Sequence, residues 1–236
     1  MRVIDITEYN IKAGVPDRLV FAFLSDLHES DLSPVTELLD KTKPDAVLIP
    51  GDYIHSTERY EKGVEFLAGC SKKYKTFCSL GNHERKFDGD IIKLTRDTGA
   101  RLLDNEYAEF RGVLIGGLSS GFRTAQSNLK KTPAPDLDFL DRFAGLDGYK
   151  ILLCHHPEYY PEYIKQTGVQ LTLSGHAHGG QWRFFGRGVF APGQGIFPKY
   201  TSGMYENRLI VSRGLGDSHN MFRINNHHEF IVLNIE

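Results

Sequence analysis

Five short apolar runs in this chain each stop on side chains able to bind a metal or carry a proton. Residues 19–24 stop at Ser25-Asp26-Leu27-His28, residues 46–49 at Pro50-Gly51-Asp52, and residues 76–80 at Gly81-Asn82-His83-Glu84. Residues 151–154 stop at His155-His156-Pro157, and residues 169–173 at Ser174-Gly175-His176-Ala177-His178. Nearly continuous apolar runs of this length, bounded by Gly or Pro, read as strands buried on both faces. In open α/β sheets, ligands bind outside the carboxyl ends of such strands.

The intervening stretches read as helices. Ser33-Pro34 marks a cap and first-turn proline for a helix through about Lys41. Ser56 or Thr57 is placed to cap a second helix carrying Tyr60, Val64 and Leu67 on one face. Residues 90–97, closed by Gly99, and 136–143, closed by Gly145, read as shorter ones. Strand, helix and strand in units of about 30 residues form βαβ crossovers and require a parallel sheet. Residues 3–12, 208–213 and 229–236 read as strands without helices between them. We therefore expect a parallel-rich first half and an antiparallel-rich last third. No linker, repeat or low-complexity tract divides them, so residues 1–236 are expected to form one α/β domain with two sheets. Residues 119–135 mix Ser, Gly, Lys and Pro without a period and read as a surface loop or lid.

Composition narrows the partners. Lys and Arg total 28 against 30 Asp and Glu, a net charge of −2, which argues against a nucleic-acid coat or an anionic membrane as an obligatory partner. No apolar run reaches the roughly 18 residues of a membrane span. Residues 1–12 are charged throughout and do not read as a signal peptide. Cys70, Cys78 and Cys154 have no zinc or disulfide spacing, so a reducing, cytoplasmic setting is expected.

Of the ten histidines, His28, His83, His155, His176 and His178 sit at the strand ends. Imidazole mixed with carboxylate and amide oxygen suits Mn, Fe, Zn or Co better than Ca or Mg. The candidate ligands are Asp26, His28, Asp52, Asn82, His155, His176 and His178. Seven exceed one tetrahedral site and fit two ions sharing a carboxylate. Asp52, alone on its strand end, is the natural bridge. His156 competes with His155 for one ligand position.

The motifs Asp26-Leu27-His28, Gly51-Asp52, Gly81-Asn82-His83-Glu84, His155 and Gly175-His176-Ala177-His178 stand in the order of the calcineurin-like metallophosphoesterases. Gly179-Gly180-Gln181 and Ser212-Arg213-Gly214-Leu215-Gly216 resemble the bacterial branch of small phosphodiesterases, some of which act on nucleoside-diphosphate lipids. The resemblance covers about Val20 to Gly216. It implies a four-layer α/β/β/α fold, a two-sheet β-sandwich flanked by helices. It implies one divalent metal ion on Asp26, His28, Asp52 and His178, and a second on Asp52, Asn82, His155 and His176, with Mn, Fe or Zn the expected elements. His83 would stand beside the leaving-group oxygen with Asp26 orienting it. The ions would clamp an in-line displacement at phosphorus by a metal-activated hydroxide.

Arg213 is the leading candidate for an anion-binding group, with Asn82 also on the phosphate side. Arg85, Arg123, Lys199 and Tyr200 are weaker ones, and Trp182 is expected to pack. The expected substrate is a small nucleotide-like phosphodiester, with no obligatory nucleic acid and no membrane span. Phosphomonoesterase and nuclease activities use the same core, but a nuclease needs a long basic groove that this charge balance does not support. A protein phosphatase of this family is typically larger. A non-catalytic metal-binding scaffold would be expected to have lost ligands, whereas every position here is filled.

Overall fold

Alternate residues of the apolar runs face opposite ways, and both ways are buried. Phe21 and Phe23 join one core with Leu48, Ile151, Leu153 and Leu171, while Ala22 and Leu24 join another with Val47 and Ile49. A strand covered on both faces needs a second sheet on one side and helices on the other.

The computed structural model describes residues 3–123, 132–217 and 222–236. The first half comprises β1 (Ile4–Ile11), β2 (Leu19–Phe23), α1 (Ser33–Thr42), β3 (Ala46–Ile49), α2 (Glu61–Lys73) and β4 (Lys75–Cys78). Next come α3 (Asn82–Arg85), α4 (Ile91–Asp97), β5 (Arg101–Leu102), β6 (Glu106–Phe110), β7 (Val113–Leu118) and α5 (Leu137–Ala144). They are followed by β8 (Tyr149–Cys154) and β9 (Leu171–Ser174). Two small hairpins follow, β10 (Arg183–Phe184) with β11 (Arg187–Gly188), and β12 (Phe190–Ala191) with β13 (Gly195–Ile196). The chain closes with β14 (Gly203–Tyr205), β15 (Leu209–Val211) and β16 (His228–Ile235).

Two six-stranded sheets result, ordered β1-β16-β2-β3-β4-β5 and β14-β15-β9-β8-β7-β6. Their facing sides share one core, and α1, α2 and α4 cover the outer face of the first sheet through Val35, Leu39, Phe66 and Leu67. Phe139, Leu140 and Phe143 of α5 cover the second. This is the expected α/β/β/α order of layers. Among the described residues no helix is long and apolar enough to cross a membrane.

Strands β2, β3 and β4 are mutually parallel, as are β7, β8 and β9. Their carboxyl ends therefore lie along one edge. Leu27 N donates to Asp52 O at 2.8 Å, Gly175 N to His155 O at 3.1 Å, and Leu215 N to Ser25 O at 2.9 Å, which ties the strand-end loops together across both sheets.

Several local expectations are corrected. The last third is mixed: β16 runs antiparallel to β2 but parallel to β1, and β15 runs parallel to β9. Helix α1 begins at Ser33 with Leu32 as its cap. Helix α2 begins at Glu61, because Ser56 and Arg59 close a tight bridge and Thr57 Oγ1 accepts from Asp88 N instead of capping. Of the expected loop 119–135, residues 124–131 lie outside the described residues.

Candidate metal centre

Five of the seven candidate ligands hold left-handed backbone: Asp26 (φ 52°), His28 (48°), Asp52 (52°), His176 (64°) and His178 (45°). Such residues cost on the order of 1–3 kcal/mol each when strained, and they persist where the surroundings over-determine them. Here the bend at each strand end turns the side chain inward onto a common point. Gly175 and Gly81 make room for it. A Cβ at Gly175 would overlap Ser25 Oγ and the Asp26 carboxylate, and one at Gly81 would overlap Asp52 Oδ1.

The candidate ligands converge as two trios, Asp26, His28 and His178, and Asp52, His155 and His176, which overlap two further groupings, His28 with His55 and His83, and His156 with Glu158 and His176. In each trio one ligand atom per residue lies within 4.8 Å of the others. His178 Nε2 is 3.4 Å from Asp26 Oδ1 and 3.3 Å from His28 Nε2. His155 Nε2 lies 3.0 Å from Asp52 Oδ2 and 3.8 Å from Asp26 Oδ1, so it joins the two trios. Asn82 opens α3 next to Gly81, with its side chain buried. His156 turns away from Asp52. It faces Ser120 Oγ through Nε2 at 2.7 Å and Glu158 through Nδ1 at 3.4 Å.

The donor set fits a cation. His28 Nδ1, Asn82 Oδ1, His156 Nδ1 and both ring nitrogens of His155 are buried without a hydrogen-bond partner. Orphaned polar atoms packed this closely need another partner, and imidazole with carboxylate and amide oxygen is a set that suits Mn, Fe or Zn. Burial drives His28, His176 and His178 well below the ordinary imidazole pKa, which favours the neutral, ligating form. Burial by itself would raise Asp52, but His155 and His83 outweigh it and hold the carboxyl well below its usual range.

His83 stands at the rim. Its backbone N donates to Asp52 Oδ1 at 3.0 Å, its Nδ1 meets the His55 carbonyl, and its Nε2 lies 3.7 Å from Asp52 Oδ2. A carbonyl only accepts, so Nδ1 carries the proton of that bond and Nε2 faces the centre. The Asp26 carboxylate, expected to orient His83, accepts from Ser25 Oγ at 2.7 Å and His176 N at 3.0 Å.

Arg213, expected to bind an anion, makes two ion pairs in the structure. Asp5 and Glu229 lie side by side in the β1–β16 register, and Arg213 donates to both, at 3.0 and 3.1 Å. Adjacent like charges on neighbouring strands need a cation between them, and the guanidinium is spent there. Arg85 is likewise paired with Asp104 at 2.9 Å. It lines a cavity of about 550 Å³ shared with Ser120, Phe122, Arg123 and Pro135, beside His156.

Three contributors were not singled out by the sequence reading as part of the site. Glu84 is buried and accepts from the N–H groups of Gly81, Asp52 and Ile54, which clamps the ends of β3 and β4 together. Glu158 faces His156 and His176 and accepts from Thr132 Oγ1 at 2.6 Å. Arg223 reaches His178 Nδ1 at 3.3 Å. Glu84 and Glu158 sit within two residues of His83 and His156, which is the only signal the sequence offered.

Two packed sheets between helices, with imidazoles and carboxylates gathered at the ends of their parallel strands, define the metallophosphoesterase class. The calcineurin-like phosphoesterase model matches residues 19–180, and the chain belongs to that family, whose members bind metals and hydrolyse phosphoesters. The chain is 28% identical over 238 residues to YkuE, an uncharacterized metallophosphoesterase of Bacillus subtilis (strain 168), covering 91% of this chain and 79% of that protein. It is 27% identical over 231 residues to an uncharacterized metallophosphoesterase of Aquifex aeolicus (strain VF5), covering 90% and 83%. It is 26% identical over 236 residues to the phosphodiesterase YaeI of Escherichia coli (strain K12), covering 90% and 80%.

Proposed function

We propose that this protein is a phosphodiesterase that hydrolyses a small nucleotide-like phosphodiester with two divalent cations. One ion would be held by Asp26, His28, Asp52 and His178, the other by Asp52, Asn82, His155 and His176. The observation that carries the reading is the convergence of two ligand trios from separate strand ends, joined where His155 meets Asp52 and Asp26. Because the ligands come from both sheets, we take the whole chain as a single domain. Two such ions would act as Lewis acids, neutralising charge on the phosphoryl oxygens and making a water acidic enough to attack phosphorus.

The protein's own groups complete the reaction. Glu84 and Ser25 hold the two carboxylate loops in place, which fixes the ligands before substrate arrives. His83, with Nδ1–H bound to the His55 carbonyl, presents Nε2 to the leaving oxygen and, as the doubly protonated imidazolium, gives the Nε2 proton to that oxygen and is left neutral. General acids of this kind contribute on the order of 10²–10⁴-fold. The likeness to the phosphodiesterase YaeI supports a diester over a monoester.

The test is hydrolysis of bis-p-nitrophenyl phosphate and p-nitrophenyl phosphate side by side, with and without added Mn²⁺, and with Asp52→Asn as control. Metal-dependent preference for the diester, lost in the variant, supports the reading. Preference for the monoester overturns the substrate class.

A further inference from the structure

The two small hairpins after the His176–Gly180 turn carry a concentration of exposed apolar side chains. Phe185 is fully exposed at the tip of the first hairpin, next to Phe184 at 51%. On the second hairpin Phe190 and Ile196 are directly paired across the strands, and Ile196 and Phe197 are 73% and 77% exposed. One residue, Val189, separates the hairpins, and its N–H is shared between Gly180 O and Trp182 O at 3.0 Å each. Isolated exposed apolar residues are ordinary, but five on one short module are not.

Charge on this module runs against the chain as a whole. Between Glu162 and Glu206 there is no Asp or Glu, while the hairpins carry Arg183 and Arg187, and Lys199 follows the second. A net charge of −2 thus conceals a locally cationic, aromatic-tipped surface. Exposed Phe beside Arg and Lys is complementary to the headgroup level of an anionic bilayer, with Glu158 beside Gly193 and Glu206 near Lys199 the carboxylates that approach the module.

The module is also fixed to the metal centre. Arg183 donates to Gly179 O at 2.8 Å, and a Cβ at Gly180 would overlap Gly188. The hairpins therefore pack directly against the turn that follows His178.

We propose that the two hairpins dock the protein peripherally on an anionic lipid surface and hold the metal centre beside it. The inference does not depend on the diester reading, and it concerns binding rather than turnover.

The experiment is co-sedimentation of the full chain with vesicles of phosphatidylcholine alone and of phosphatidylcholine with phosphatidylglycerol. It is run for the wild type, Phe185→Ser/Phe197→Ser and Arg187→Glu, with molar mass by light scattering alongside. Binding to the phosphatidylglycerol vesicles that falls on the order of tenfold in the double Phe variant, and also falls in Arg187→Glu, supports docking. Turnover of a soluble chromogenic ester at the wild-type rate, with unchanged melting, shows that these variants are folded. Absence of vesicle binding by the wild type overturns the proposal. So does a wild-type dimer that the double Phe variant makes monomeric, since the face would then be covered by a second copy. Binding that the Phe variants leave intact overturns it as well.

Discussion

His155 Nε2 lies 3.0 Å from Asp52 Oδ2, so an imidazole delivered by the second sheet touches a carboxylate delivered by the first. Neither residue has meaning for the site without the other sheet. The approach does not meet hydrogen-bond angles, and both ring nitrogens of His155 stay without a partner. Two ligands converging on a shared cation would adopt this relation.

The same contact sets a pH dependence. Burial opposes a charged His155, but Asp52 and Asp26 outweigh it and push the imidazole up to about 9. At pH 7 that proton must leave before a cation can bind, whereas His28, His176 and His178 are already neutral. Metal binding should therefore release about one proton at pH 7, with apparent affinity climbing as pH rises toward 9. Calorimetric titration in two buffers of different ionisation enthalpy reads this directly. Uptake of a proton, or affinity falling between pH 7 and 9, would contradict it.

His83→Ala is expected to keep both metals and lose on the order of 10²–10⁴-fold in kcat, most for esters with poor leaving groups. The structure puts His83 at the rim, with Nε2 3.7 Å from Asp52, outside the Asp26 and Asp52 trios and grouped instead with His28 and His55. Metal content and a leaving-group series on the same preparation check both halves. A variant stripped of metal would show that His83 is a ligand.

Glu158→Gln should weaken the ion near His176 while sparing the other. The carboxylate faces His156 Nδ1 at 3.4 Å and His176 Nε2 at 4.0 Å, and outer partners of this kind typically change metal affinity about 10–100-fold. Competition with a chelator, following loss of one equivalent before the second, reads the effect. Equal loss of both ions, or none, would remove Glu158 from this role.

Arg213→Gln is expected to lower stability by about 1–3 kcal/mol and to leave KM for a small diester unchanged. Its guanidinium separates Asp5 from Glu229, and the latter is buried. Thermal melting and steady-state kinetics separate the two effects. A raised KM with unchanged melting would restore an anion-binding role.

The convergence of the candidate side chains was legible because chemistry and strand period coincide: a run such as residues 46–49 is buried on both faces, and the polar residues beyond it turn inward. What stayed illegible depends on distant partners. Nothing near Arg213 announces that Asp5 and Glu229 will be register neighbours, more than 200 residues apart. The parallel pairing of β1 with β16 is hidden for the same reason. Helix α2 was misplaced at its start because Ser56 has the side chain of a cap, and only the Ser56–Arg59 bridge shows it otherwise engaged. The hairpins after Gly180 are too short to show a period.

The central claim is that Asp52 is shared by two cations, and anomalous diffraction from crystals grown with Mn²⁺ tests it most directly. Two anomalous peaks roughly 3.5–4 Å apart with Asp52 between them, both gone or reduced in Asp52→Asn, are expected. A single peak, or two that Asp52→Asn leaves untouched, would contradict the account.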